Sequence, residues 1–150
     1  MRVFQSAADL ADAVGEAIGP GPWHVVEQSR VDMFAEATGD HQWIHVDEAR
    51  AAASPFGGTI AHGYLTLSLT SYFALQIARY EGFSMAVNYG ADKVRFITPV
   101  PVGKRVRCGA ELLEVTDVSG GIQTKILLTV EIEGVEKPAC VIESLTRWLV

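Results

Sequence analysis

No run of 18 or more apolar residues occurs anywhere in the 150-residue chain, so no segment reads as a membrane-spanning helix. An excess of basic charge is also missing: 12 Lys and Arg stand against 18 Asp and Glu, a formal net charge of −6. A sequence-independent grip on nucleic acid phosphates needs a basic face, so that class of partner is excluded. Cysteine is scarce. Cys108 and Cys140 both fall in strand-like segments and are expected to be buried, reduced thiols and not a disulfide. The opening stretch "MRVFQSAADLADAVGEAIG" has no uninterrupted apolar core of the secretory kind, which makes a cytoplasmic protein the expectation. Repeats, low-complexity blocks and long linkers are absent, and residues 1–150 read as a single domain.

What is present is apolar. Hydrophobic residues make up 49% of the chain and its mean hydropathy is +0.20. A domain of this size buries roughly 70% of the surface its unfolded chain exposes, and apolar area beyond that points to a subunit contact. A homodimer is expected.

Ser6 and Asp9 have capping-box spacing and open a predicted helix over 7–18, with Leu10, Val14 and Ile18 recurring every four residues before "GPGP". "WHVVEQ" reads as a short strand. Ser29 and Asp32 repeat the capping spacing and predict a helix from Arg30 to about Thr38, closed by Gly39. Asp47 is a cap for another short helix through Ala53, and "SPFGG" then breaks regular structure. Residues 64–81 are apolar on nearly every side, which predicts a helix enclosed by the rest of the protein. Four strand-like segments follow, separated by "PVPVG", "SGG" and "GVE". Val106, Cys108 and Ala110 alternate with Arg105, Arg107 and Gly109, as in an antiparallel sheet with one covered face. One apolar helix followed by long antiparallel strands predicts an α+β hot dog fold, a curved antiparallel sheet wrapped around a buried helix.

The chemistry concentrates between the short helices, in "ATGDHQWIHVDE", residues 37–48. Asp40 and His45 are separated by four residues and can turn toward one cavity if the backbone bends after Gly39. A carboxylate and an imidazole facing one space suit the addition or removal of water, in which one proton is taken and one delivered. The same spacing also allows Asp40 to cap the turn and His45 to pack as an ordinary hydrogen-bonded histidine. His41 and His45 would make a metal pair on a helix, but the stretch follows a helix-ending glycine, and no metal site is assigned. Downstream, Gly63 opens the long helix, where unpaired N–H groups and the positive end of the dipole can hold an oxyanion. Equally, Gly57, Gly58 and Gly63 let the chain turn. His62 reads as a contact behind the pair or as helix-start packing, and Ser71 as a residue bonded to a helix carbonyl.

The stretch "FAEATGDHQWIHVDEARAAASPFGGTIAHGYLTLSL" resembles the MaoC-like family of R-specific enoyl-CoA hydratases and 3-hydroxyacyl-thioester dehydratases, closest to its single-domain actinobacterial and nodulation-protein-N-like branch. "VNYGADKVRFITPVPVGKRV" matches a later family segment. The family pattern G-D-x-N-P-x-H, followed by a helix opening with H-G, falls on Gly39, Asp40, His45, His62 and Gly63. Gln42-Trp43 replaces the usual Asn-Pro; Gln42 keeps an amide on a longer arm, and the fixed φ of proline is lost.

The resemblance implies reversible syn hydration of a trans-2-enoyl-CoA or acyl carrier protein thioester to the R-3-hydroxyacyl product. Asp40 and His45 would share the water, Gly63 N–H would face the thioester carbonyl, Ser71 would bond near the Asp40 carboxylate, and Gln42, His62 and Tyr64 would line the site. It implies no cofactor beyond the coenzyme A of the substrate. By the same analogy the acyl chain lies between Tyr64, Leu67, Tyr72 and the strand near Asn88 and Tyr89. Lys93, Arg95, Lys104, Arg105 and Arg107 are the cations available for coenzyme phosphates, or simply the wet face of a sheet. Two rivals share the fold: an acyl-CoA thioesterase, whose acid generally sits on the central helix where residues 64–80 carry none, and a non-catalytic acyl-thioester binding subunit.

Overall fold

The computed structural model describes residues 1–150. Ser6 caps α1 (Ala7–Asp12) through its hydroxyl, as the spacing with Asp9 predicts. The helix stops six residues short of the expected end. Gly15 turns at φ 89 and gives its N–H to Leu112 O at 2.7 Å, so the chain leaves as β2 (Ala17–Ile18), and Ile18 is buried as a strand residue opposite Ala110. A strand register thus buries the apolar residue that helical spacing claims. β1 (Arg2–Phe4) precedes α1, and β3 (His24–Val25) falls inside the predicted "WHVVEQ" strand.

α2 (Gln28–Thr38) begins earlier than the Ser29 spacing suggests: Glu27 is its N-cap without a side-chain bond, and Asp32 instead accepts from the Gln28 amide. Gly39 closes it in the left-handed region at φ 76. Two short helices follow, α3 (Trp43–Val46) and α4 (Glu48–Ala52), the latter capped by Asp47 accepting from the Arg50 N–H. Residues 59–61 then run antiparallel to 100–102, with Ala61 N–H on Val100 O at 2.8 Å and Val102 N–H on Thr59 O at 2.9 Å, and deliver the chain into α5 (Gly63–Ile77).

α5 ends before the predicted residue 81. β4 (Ala78–Tyr80) pairs in parallel with β1, and Tyr80 stacks between Phe4 and Trp148, so sheet partners and aromatic packing override helical continuation. β5 (Met85–Phe96), β6 (Arg105–Val118), β7 (Gly121–Ile132) and β8 (Cys140–Leu149) are the expected long strands. The main sheet runs β2-β6-β7-β8-β5, its long strands antiparallel, with β3 also on β6. Leu65, Leu69, Phe73 and Ile77 place one stripe of α5 in the core with Val106, Leu112, Leu128 and Ile142. Both cysteines are free within it, and burial pushes their thiols up to about 12 (Cys108) and about 11 (Cys140). No helix is long and apolar enough to cross a membrane.

Contrary to the expectation from its all-round apolar surface, α5 is enclosed on one side only: Tyr64 and Leu75 are each 69% exposed and Tyr72 is exposed beside them. The adjoining edge strand β5 leaves Met85, Val87 and Tyr89 exposed as well, and its outer edge pairs with nothing.

Candidate active site

Three elements meet at the site: the turn after α2, the helix α3, and the entry to α5. Asp40 follows Gly39. Thr38 Oγ1 donates to Phe34 O at 2.7 Å and accepts the Asp40 N–H at 3.3 Å, which turns the chain away from the helix axis. Asp40 Oδ1 accepts the Gln42 N–H at 3.3 Å, and 53% of its side chain is exposed. His45, on α3, is buried. Its Nδ1 donates to Ile60 O at 2.7 Å, so the neutral ring keeps a free lone pair on Nε2. His62, also buried, lies on His45 with ring centroids 3.8 Å apart and planes inclined by 23°. His62 Nε2 donates to the Asp40 carbonyl at 3.0 Å, while Nδ1 is buried with no partner.

One side-chain donor atom from each of Asp40, His45 and His62 lies within 4.8 Å of the others. A water molecule about 2.8 Å from two such atoms spans that separation at ordinary hydrogen-bond lengths. Burial drives the His45 pKa below its usual 6.5; the Ile60 bond opposes this, charge on His62 reinforces it and Asp40 opposes it. The imidazole is therefore held in its proton-accepting form at neutral pH. The same three atoms are a possible metal-ligand set by proximity. However, near-parallel rings stacked at 3.8 Å direct their in-plane lone pairs side by side, whereas a metal about 2.1 Å from both nitrogens requires them to converge.

His41, the alternative partner for a metal pair, points the other way, 3.7 Å from Glu36. Gln42 is the N-cap of α3 but makes no side-chain cap bond, because its arm is longer than that of asparagine. Its φ of −56 and ψ of 135 are the extended values a following proline imposes, so the backbone keeps that shape with Trp43 at the first helical position. Arg50, on α4, lies 4.3 Å over the Trp43 ring and ties the start of α3 to the next helix.

Gly63 opens α5, where the first N–H groups lack intrahelical partners. A Cβ there would lie 2.9 Å from Phe96 Cγ, so packing alone also demands glycine. Tyr64 meets Phe96 edge-on at 5.4 Å, outside the pair. Ser71 is not brought to Asp40. It lies two turns along α5, about 12 Å from Gly63, and lines a cavity of about 590 Å³ between α5 and the sheet, together with Leu75, Asn88, Ser144 and Trp148. Of the residues expected along the acyl chain, only Asn88 borders that cavity; Tyr64, Leu67, Tyr72 and Tyr89 do not. The basic strand residues are mostly neutralised: Lys93 pairs with Glu143 at 2.8 Å, Arg107 with Glu131 at 2.7 Å, and Arg105 with Glu133. That is the wet sheet face, as their alternation allows.

Two residues at the site carry no signal in the sequence. Gln28 donates to His45 O at 2.8 Å and Thr59 donates to Gln28 Oε1 at 2.5 Å. Their partners are 17 and 31 residues distant, so no local pattern marks them.

Residues 9–134 match the family model described as the MaoC like domain. The chain belongs to the MaoC-like dehydratase family. This MaoC-like protein is 53% identical over 150 residues to the 3-hydroxyacyl-thioester dehydratase Z of Mycobacterium tuberculosis, covering 99% of each chain. It is 46% identical over 138 residues to nodulation protein N of Rhizobium leguminosarum, covering 89% of this chain and 85% of the relative. Among solved structures, the R-hydratase PhaJ1 of Pseudomonas aeruginosa superimposes with a TM-score of 0.76 at 24% identity, over 96% of this chain and 85% of that one, which supports the hot dog fold.

Proposed function

We propose that this MaoC-like protein interconverts trans-2-enoyl and R-3-hydroxyacyl thioesters by adding and removing water between Asp40 and His45. The coarse reaction, dehydration of a 3-hydroxyacyl thioester, is that named for the relative sharing 53% identity. The finer assignment rests on one observation: donor atoms of Asp40, His45 and His62 within 4.8 Å of each other, at a distance one water can bridge.

In the hydration direction, His45 Nε2 takes a proton from water as the oxygen bonds to the β-carbon. The alkene electrons move toward the thioester carbonyl, whose developing charge lies against the Gly63 N–H. The imidazolium then returns its proton to the α-carbon on the same face, so that H and OH add syn. Asp40 anchors the water and stabilises the transient imidazolium. Protein groups supply every step, with coenzyme A or acyl carrier protein entering only as part of the substrate. Ser71 and its cavity are assigned to the acyl chain, not to the carboxylate. A homodimer completes the proposal, with the open faces of α5 and β5 as the subunit seam.

General acid–base groups contribute roughly 10²–10⁴-fold. Asp40→Asn and His45→Gln are each expected to lower kcat/KM for crotonyl-CoA hydration by about 10²-fold or more while the fold survives. The loss of enoyl absorbance measures it, and near-normal turnover in either variant sinks the assignment. The thioesterase alternative predicts free thiol release from acyl-CoA instead; α5 carries no acid to direct that chemistry.

A further inference from the structure

We propose that Gln28, the first residue of α2, is the positioning residue that fixes His45 in its productive orientation. The inference rests on the hydratase reading and names a further residue on which that site depends.

The Gln28 amide is fully engaged. Its Oε1 accepts the Thr59 hydroxyl at 2.5 Å, and its Nε2 donates to the His45 carbonyl at 2.8 Å and to Asp32 Oδ1 at 2.8 Å. The His45 carbonyl and the Asp32 carboxylate can only accept, so a flipped amide would set Oε1 against both; Nε2 is therefore directed at His45, and the Thr59 hydroxyl donates to the Oε1 that remains. The His45 carbonyl belongs to the last turn of a four-residue helix, where carbonyls have no intrahelical partner. Gln28 supplies that partner.

The ring is held from the neighbouring residue. Ile60 O takes the Nδ1–H at 2.7 Å, and Ile60 N–H donates to Ile44 O at 3.0 Å. Thr59 and Ile60 are consecutive, so one short segment holds His45 twice: its ring directly, and its main chain through Gln28. With the bond to Ile44 these make three tethers on α3, and Gln28 supplies the one on the main chain of His45 itself; without it the C-terminal end of the helix is held only through the ring and the preceding residue. All three bonds of the Gln28 side chain are to protein groups behind the histidine, so its effect reaches the reaction through His45. A displacement near 1 Å in such a site costs about 10²-fold in rate.

Gln28→Met retains the stem and removes the amide. With crotonyl-CoA, kcat is expected to fall about 10- to 100-fold with KM within about twofold. Placed on His45→Gln, the same change is expected to cause no further loss, because the group it positions is already gone. A purely structural role predicts equal losses in both backgrounds and overturns the proposal, as does wild-type kcat in Gln28→Met. If Gln28→Met does not fold, Gln28→Leu, which likewise removes the bond to the His45 carbonyl, takes its place in both backgrounds: a kcat loss confined to the chain with His45 supports the proposal, and equal losses or none overturn it. Full turnover by His45→Gln alone would remove the hydratase reading and this inference with it. An inactive His45→Gln beside an unimpaired Gln28→Met removes only the role of Gln28.

Discussion

Burial holds the His45 imidazole neutral and its Nδ1–H bond to Ile60 O leaves Nε2 free to accept, which is what the proposed role as base requires. Its pKa lies below 6.5 in the folded chain because burial disfavours the imidazolium, while the unfolded chain retains the usual value. Between those two values the unfolded state binds more protons, so stability is fully present above pH 6.5 and is lost as pH falls through the folded pKa. The melting temperature is therefore expected to decline on acidification below about 6.5, and less steeply in His45→Gln. The acid limb of kcat/KM should likewise lie below the usual histidine range; a limb above it argues against a buried neutral base. At this scale the sequence is informative: "GDHQWIH" and "AHG" mark Asp40, His45 and His62. It does not tell which nitrogen of His45 is free, since that is set by Ile60, 15 residues away.

The helices show local signals at their strongest and weakest. Asp47 and Ser6 cap as their spacing predicts, because a capping bond closes within three residues. The ends of α1 and α5 fall short of the helical pattern because each gives way to strand pairing with a segment far along the chain. The start of α5 makes a sharp test of why residue 63 is glycine. Gly63→Ala should cost about 1–2 kcal/mol, since the added Cβ meets Phe96 at 2.9 Å. In a Phe96→Ala background the same change should be neutral or stabilising, because alanine is the better helix former. Thermal unfolding of the four chains measures this. An unrelieved cost in the double variant would show that the Phe96 ring is not what excludes the side chain.

Across the whole molecule, the open faces of α5 and β5 decide the expected assembly. The first half of the edge strand β5, with exposed Met85, Val87 and Tyr89 before the register shifts and charges of its second half, is a template for pairing. The chain is accordingly expected to sediment at about twice 16.2 kDa, and Val87→Lys, placing a charge on that edge, to shift it toward the monomer without unfolding it. A wild-type monomer at assay concentration would dismiss the seam. Composition hints at this, with more apolar residues than one small core requires, but the hint has no address. Enclosure of residues 64–81 on all sides presumes a helix surrounded by its own chain, and the sheet reaches around only one side.

The order of apolar and polar residues by itself determined the four long strands, the central helix and the caps at Ser6 and Asp47, because each is written within a few residues where period and spacing act; Asp40 and His45 are picked out as a pair by the motif's resemblance to the family, since their spacing also allows an ordinary cap and a packed histidine. Tertiary structure alone decided that His62 rather than His41 stands against His45, that Gln28 and Thr59 brace it, that Ser71 lies two turns away, and that one side of α5 is open. Those are meetings of residues distant in the chain, and their geometry depends on how the sheet curves around the helix, which no local pattern specifies.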